Sequence, residues 1–459
     1  MTQPAPSASD VNQLIRSRSY RGLLVLAAAV GILVSLASWC FLELVHYLQQ
    51  WLYKDLPSGL GFHTDPWWWP LPILLVAGVT IAFAVARLPG DGGHQPSEGL
   101  KSGPPTLPNY LPGVVLAALA TLGLGLVLGP EAPLIALGTG LAMTSLKLAR
   151  RDVPDRAKAV LAAAGAFAAI STIFGSPVIG AVIIIEATGL GGPTLPLVLL
   201  PGLLAAGIGS LVFIGIGSLT GLSEAAYQLA PLTLPSYARP TVSAFGWTIL
   251  LAVVAAVVVF LVVELGKATG RLAGRSPFVV MPVAAVLVGA AAIAFGQITG
   301  ENELLVLFSG QEAMDTLVTQ AATLSLGTLA LLLVFKSIAW GLSLGAARGG
   351  PTFPAMFLGI VGGLLAGHLP GFAEQPAVAA LMGAACVAVL RLPLSSLVIA
   401  FVVSRAGAAT TPLIIVAVVV AYLAILALDA VRTHASGAGR PDSGQSPPVV
   451  PAAAPATGT

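Results

Sequence analysis

One ten-residue pattern occurs twice in this chain, each time deep in apolar sequence. Residues 129–138 read Gly-Pro-Glu-Ala-Pro-Leu-Ile-Ala-Leu-Gly, and residues 350–359 read Gly-Pro-Thr-Phe-Pro-Ala-Met-Phe-Leu-Gly. Both fit G-P-x-x-P-x-x-x-L-G, in the same register. A Gly-Pro break followed by a second proline near a helix start leaves unpaired amides at the helix N-terminus, the positive end of its dipole. Two such ends inside a membrane define an anion site. Close helix packing is the competing explanation, because glycine lets backbones approach; packing alone, however, does not ask for paired prolines in one register.

The membrane follows from composition. Of 459 residues, 56% are hydrophobic and only 9% charged, against roughly 25% charged in soluble globular chains. Apolar runs at 22–48, 70–88, 112–128, 193–217, 243–265, 277–297, 321–345 and 408–430 approach or exceed the length that crosses hydrocarbon. Shorter runs near 131–147, 157–173, 177–188, 354–369, 375–390 and 393–404 are cut by Gly and Pro. Broken segments at membrane depth must be buried in protein or line a cavity.

Arg16, Arg18 and Arg21 precede the first run and predict a cytoplasmic N-terminus; Lys147, Arg150, Arg151, Arg156 and Lys158 mark a second cytoplasmic loop. The first run is too long for a signal peptide, lacks a small-residue cleavage site, and carries Trp39 where a lipoprotein box before Cys40 needs a small residue. The resulting expectation is an integral protein of the cell membrane. Cys40 and Cys386 both sit in apolar segments and support neither a disulfide framework nor a metal site. His46, His63, His368 and His434 have no metal-ligand spacing, no nucleophile motif or phosphate loop is present, and a net charge of +2 offers nothing for nucleic acid. No enzyme, cofactor or metal is therefore expected.

The organisation predicted is a polar segment at 1–20, one membrane domain over 21–432 with repeat halves near 70–230 and 240–432, and a disordered polar tail at 433–459. Without a soluble module after the last apolar run, nucleotide sensing is not expected. After the first pattern come Gly165-Ala166-Phe167 and Pro177-Val178-Ile179-Gly180; after the second come Gly383-Ala384-Ala385 and Pro393-Leu394-Ser395-Ser396. Two halves with the same order of broken helices, often inverted, place a transported substrate between half-helix termini.

Glu131 carries the chemistry. A carboxylate in apolar sequence is costly and marks a functional site by default. Just after Gly129-Pro130, it stands where amides and helix dipole favour negative charge, so it can occupy the anion's place until protonation or a free anion displaces it. The plainer alternative is a first-turn acid stabilising its own helix. Thr352 holds the equivalent position without charge. Pro351 has no amide hydrogen, which leaves the amides of Thr352 and Phe353 as anion contacts; Thr352 as a simple N-cap is the alternative.

At these residues the chain resembles the ClC family of chloride channels and proton-coupled chloride transporters, over roughly residues 20–430. Gly129-Pro130-Glu131-Ala132-Pro133 is similar to the family's Gly-(Lys/Arg)-Glu-Gly-Pro. Gly350-Pro351-Thr352-Phe353-Pro354 resembles Gly-Ile-Phe-x-Pro, and Gly175-Ser176-Pro177-Val178-Ile179-Gly180-Ala181-Val182-Ile183 resembles Asn-Ala-Pro-Leu-Ala-Gly-Ile-Leu-Phe. The resemblance implies an all-α polytopic bundle of inverted repeats, a homodimer with one pore per subunit, and transport of chloride or a similar small anion gated by Glu131.

Three departures qualify it. The family's Gly-Ser-Gly-Ile-Pro loop is most like Gly92-Gly93-His94-Gln95-Pro96, which puts Gly93 at the anion-binding Ser and leaves amides or His94; Lys101-Ser102-Gly103-Pro104-Pro105 keeps a Ser but lies closer to Glu131. Exchangers carry an inner glutamate as the second acid of Ile-Glu-Glu, whereas Ile185-Glu186-Ala187 keeps only the first. Neighbouring helical residues point about 100° apart, so Glu186 serves a proton path only from a rotated helix, or else caps a helix end. The family's pore tyrosine has no equivalent, Tyr422 being placed for packing or an interhelical bond.

The anion contacts expected are thus Gly93, His94, Gly129, Glu131, Ala132, Thr352 and Phe353, with Glu186 a candidate on a proton path. The function expected is an uncoupled, voltage-gated type of anion channel. A chloride/proton antiporter and a non-transporting membrane sensor or scaffold are the alternatives. Lys336 and Arg405 read as snorkelling or acid-paired side chains or as cations along the path, and Arg348 and Arg391 as cations of the pore vestibules.

Overall fold

The helices begin and end where the sequence has punctuation. Ser17, Ser176, Thr241 and Ser325 each accept a bond from the amide three residues on, which satisfies one of the orphan donors of a helix start. Pro70, Pro177, Pro277 and Pro393 occupy first helical positions, where a missing amide hydrogen costs nothing. Gly175, Gly189 and Gly300 close helices in the left-handed conformation.

The computed structural model describes residues 8–62, 66–99, 103–148, 153–189, 191–220 and 228–435. His63, the Lys101-Ser102 pair, Arg150, Arg151 and the tail from 436 lie outside them. In chain order the helices are α1 (Ala8–Arg16), α2 (Arg18–Gln50), α3 (Leu56–Gly59), α4 (Pro70–Arg87), α5 (Leu111–Gly123), α6 (Glu131–Leu148), α7 (Asp155–Phe174), α8 (Pro177–Thr188) and α9 (Leu195–Thr220). They continue as α10 (Val242–Arg275), α11 (Pro277–Thr299), α12 (Ala313–Thr319), α13 (Leu326–Ala346), α14 (Thr352–Ala366), α15 (Glu374–Leu390), α16 (Pro393–Val403) and α17 (Thr411–Ala435). Among the described residues this is an all-α bundle in which eight helices are long and apolar enough to cross a membrane. It is a polytopic integral membrane fold.

The spanning set differs from the expectation at two places. The run 112–128 is helical only to Gly123, because Gly125 turns left-handed (φ 109) and residues 124–130 leave the helix as a buried strap. The run 157–173, by contrast, forms the full 20-residue α7 once charged Asp155 and Arg156 are included at its start.

The series α5–α6–α7–α8 and α13–α14–α15–α16 run in parallel order along the chain. In each, the helix that follows the Gly-Pro break packs along the next helix. The last glycine of each pattern serves that contact: a Cβ at Gly138 would overlap the Gly165 carbonyl, and one at Gly359 would lie 2.5 Å from Met382 Cα. The packing reading of the pattern therefore holds at its final residue.

Lys336, fully buried on α13, neither snorkels nor finds an acid. Its ammonium donates to the carbonyls of Leu305 (3.0 Å), Leu307 (2.6 Å) and Phe308 (3.0 Å), with Nζ 4.6 Å from the centroid of the Phe357 ring. Three donors meet three acceptors, which pins the 303–310 loop to α13. Lys336→Met leaves those carbonyls unpaired, and we expect it to cost about 3 kcal/mol of stability, read as an earlier unfolding transition in detergent. Arg391 does have an acid partner, Asp429 at 2.9 Å, so it is committed to an ion pair with α17. Arg405 sits exposed in a left-handed turn after α16. Tyr422 is half-buried against the core on α17, in keeping with packing.

Candidate functional site

The two Gly-Pro turns meet. Gly129 and Gly350 form an isolated antiparallel bridge, each donating its amide to the other's carbonyl, at 2.7 Å and 2.6 Å. Flanking the bridge is a reciprocal pair of bonds. The Val127 amide donates to the Ser343 hydroxyl on α13 (3.1 Å), and the Arg348 amide donates to the Thr121 hydroxyl on α5 (3.2 Å). Each strap is thus held by the hydroxyl of the other half's helix, through amides at matching positions of the repeat. Antiparallel approach with swapped partners is the local signature of an inverted repeat.

The bridge leaves α6 and α14 starting side by side. Glu131, the first residue of α6, is fully buried, and its Oε1 accepts the Thr352 amide at 2.5 Å. Oε2 is buried without a protein hydrogen-bond partner. A buried acceptor in that condition costs roughly 1–3 kcal/mol. Pro351, not Thr352, is the N-cap of α14, so the Thr352 amide is an N-terminal donor and Glu131 caps the opposite half's helix rather than only its own. The Phe353 ring stacks on Phe174 (5.4 Å between centroids) and closes the side of the seat.

Two cavities reach the chain neighbours of Glu131. The first, about 310 Å³, is lined by Pro130 and Leu128 together with Tyr53, Phe308 and the His46–Glu312 pair. The second, about 660 Å³, is lined by Ala132, Pro133 and Gly349 together with Gly93, Tyr110 and Arg348. Pro130 faces one and Ala132 the other. Glu131, between those two residues in the chain, lines neither.

The remaining expected contacts are distributed as follows. The Gly129 amide is committed to the bridge and the Gly93 amide to the Gly90 carbonyl (2.8 Å), so neither offers a free donor. Gly93, at φ 101, lines the second cavity as the bend that opens it. His94 also lines it, with Nε2 2.8 Å from the Gly99 carbonyl. Ala132 is half-buried at the cavity's end, and Phe353 is buried beside the carboxylate.

Glu186 is tied elsewhere. Its carboxylate accepts the Leu394 amide (2.9 Å), the Ser395 amide (2.6 Å) and the Ser395 hydroxyl (2.6 Å) at the start of α16. It is its neighbour Ala187, with Ile184 and Thr188, that lines the second cavity. Sequence reasoning did not single out Tyr110, Thr106 and Thr139, which bring hydroxyl-bearing side chains to that wall; none stands in a motif, and only the fold gathers them. Among the described residues no cluster of His, Cys, Asp and Glu is suited to a metal.

Comparison with known proteins agrees with this geometry. The Voltage gated chloride channel family matches residues 90–425. The chain is 28% identical over 361 residues to the putative ion-transport protein YfeO of Escherichia coli O139:H28, covering 77% of this chain and 81% of that one. It is likewise 28% identical over 355 residues to the YfeO of Salmonella choleraesuis, covering 76% and 81%. Among solved structures it is similar to a slow cyanobacterial Cl⁻/H⁺ antiporter, with TM-score 0.70, 19% identity, and coverage of 91% of this chain and 98% of the other. It is also similar to a CLC-type fluoride/proton antiporter, with TM-score 0.64, 17% identity, and coverage of 88% and 95%. With the paired half-helices and the family match over most of the membrane domain, the chain belongs to the voltage-gated chloride channel family of anion-transporting membrane proteins.

Proposed function

We propose that the protein exchanges chloride or a similar small anion for protons, with Glu131 as the group both must move. The observation that carries this is the buried Glu131 carboxylate, bonded to the Thr352 amide at the junction of the two half-helices, with its neighbours Pro130 and Ala132 lining separate cavities. Ionised, it holds the seat an anion needs. A proton on Oε2 removes the charge that the α14 N-terminus attracts, the side chain leaves, and an anion takes the amide. When the anion departs, the carboxyl returns and gives up its proton. Transport of one species is thereby tied to transport of the other. The two antiporters that share the fold support this reading over the uncoupled channel.

The uncoupled channel keeps one observation in its favour. Ala187, not an acid, faces the second cavity, and Glu186 is held by three donors at α16. In the exchange reading, water in a cavity of about 660 Å³ carries protons to Glu131 instead. Glu186→Gln then leaves chloride-driven proton movement within about twofold of wild type while loosening α16, because the lost bonds are structural. Abolished proton movement with chloride flux intact would put Glu186 on the path.

The deciding experiment imposes a chloride gradient on proteoliposomes and follows proton movement. Protons driven by the gradient support exchange; chloride flux without protons means a channel; neither, from folded protein, means a sensor or scaffold. Glu131 and Thr352 come from one chain, so in the homodimer that the resemblance implies each subunit has its own pathway. The N-terminus is assigned to the cytoplasm and the protein to the cell membrane on the basis of Arg16, Arg18 and Arg21.

A further inference from the structure

The second cavity contains a charge that the gate does not use. Arg348, in the strap between α13 and α14, is only 8% exposed and lines that cavity beside Gly349 and the Gly92–Gly93 bend. Its Nε donates to the Asp91 carbonyl (3.1 Å) and its Nη1 to the Ala347 carbonyl (3.0 Å). Nη2 bonds to no protein atom among the described residues, and no carboxylate lies within salt-bridge distance of the guanidinium. Asp91 offers its backbone carbonyl, and its exposed carboxylate acts on the guanidinium only through space, without an ion-pair contact. A buried guanidinium with no carboxylate in contact is expensive to maintain. Here two carbonyls fix its plane and leave the rest of its fork to the cavity.

We propose that Arg348 forms an anion subsite in the second cavity, where a small monovalent anion rests on its way to or from Glu131. Trigonal oxyanions such as nitrate are held more tightly there than halides. The planar fork makes two parallel bonds to a trigonal oxyanion and offers a sphere no such match. The Gly92–Gly93 bend brings no side chain to this wall: both glycines have positive φ (69 and 101), and a Cβ at Gly92 would lie 3.2 Å from the Ala117 and Val85 side chains. The proposal rests on the anion-transport reading, yet occupancy of this subsite can be measured without transport.

Two measurements test it. Wild-type crystals soaked in bromide should show an anomalous peak at the Arg348 guanidinium that added nitrate removes; no peak there at saturating bromide overturns the proposal, whatever Glu131 does. In proteoliposomes, Arg348→Gln should raise half-saturation for nitrate about tenfold, the loss of one charge-assisted bond, and for bromide less. Arg348→Lys, which keeps charge without the fork, should restore bromide but not nitrate. Unchanged half-saturation for both anions in Arg348→Gln overturns the proposal. If that variant does not fold, the bromide peak in wild type decides alone. Failure of Glu131→Gln to alter flux, with the Arg348 peak present, would strike the gate reading and spare this one.

Discussion

Replacing Glu131 with Gln is expected to raise anion flux by about tenfold or more at neutral pH, flatten its pH dependence and abolish coupled proton movement. The magnitude follows from the bond it removes: hydrogen bonds to charged acceptors contribute roughly 1.5–3 kcal/mol, so an uncharged side chain competes for the Thr352 amide about ten- to a hundredfold less well. The sign with pH follows from the carboxylate. On the proposed reading, falling pH should protonate Glu131 in the wild type, discharge the seat and admit the anion, so flux is expected to rise as pH falls. Gln is shaped like the protonated acid and cannot ionise, so the variant behaves at every pH as the wild type does in acid. Glu131→Ala should share the loss of pH dependence. Flux in liposomes at two pH values checks both, and unchanged flux with an intact fold would remove Glu131 from the pathway.

The repeated pattern made the junction legible because its parts have separate physical duties. Gly129 and Gly350 pair across the bridge, Pro130 and Pro351 end the straps, Glu131 and Thr352 start the helices, and Gly138 and Gly359 let the next helix approach. Each duty restricts the residue type, so the register appears in one sequence. What was not legible depended on tertiary partners. No local signal says that the Gly93 amide folds back onto Gly90, that Glu186 reaches α16, or that Arg391 finds Asp429. At Lys336 the snorkelling and acid-partner alternatives fail for the same reason: backbone carbonyls of a distant loop, invisible to residue-type reasoning, took the place of the acid or lipid headgroup that a buried lysine suggests. The failed span at 112–128 shows the limit of hydropathy. Residues 124–128 are as apolar as any helix, but a left-handed glycine turns them into a strap whose Val127 amide is satisfied by Ser343 on the other half.

Gly350→Ala tests whether the carboxylate truly stands in for an anion. A Cβ at Gly350 would overlap Cγ, Cδ and Oε1 of Glu131, the far end of a flexible side chain, and no backbone atom is among its nearest neighbours. The fold should therefore tolerate the methyl while the carboxylate loses its seat. If an anion uses the same seat, the methyl excludes it too. The informative comparison is made in the Glu131→Gln background, where the gate no longer competes: there Gly350→Ala should lower flux by about ten- to a hundredfold, since overlap in a packed site costs about 1–3 kcal/mol. Gly349→Ala is the control for backbone damage, because its Cβ would lie 2.7 Å from Leu128 Cβ and 3.0 Å from the Gly129 carbonyl and should lower stability first. Full flux in the Glu131→Gln/Gly350→Ala protein, with its unfolding transition unchanged, would mean that anions pass without visiting the Thr352 amide, and the bridge between the two half-helices would then be scaffolding only.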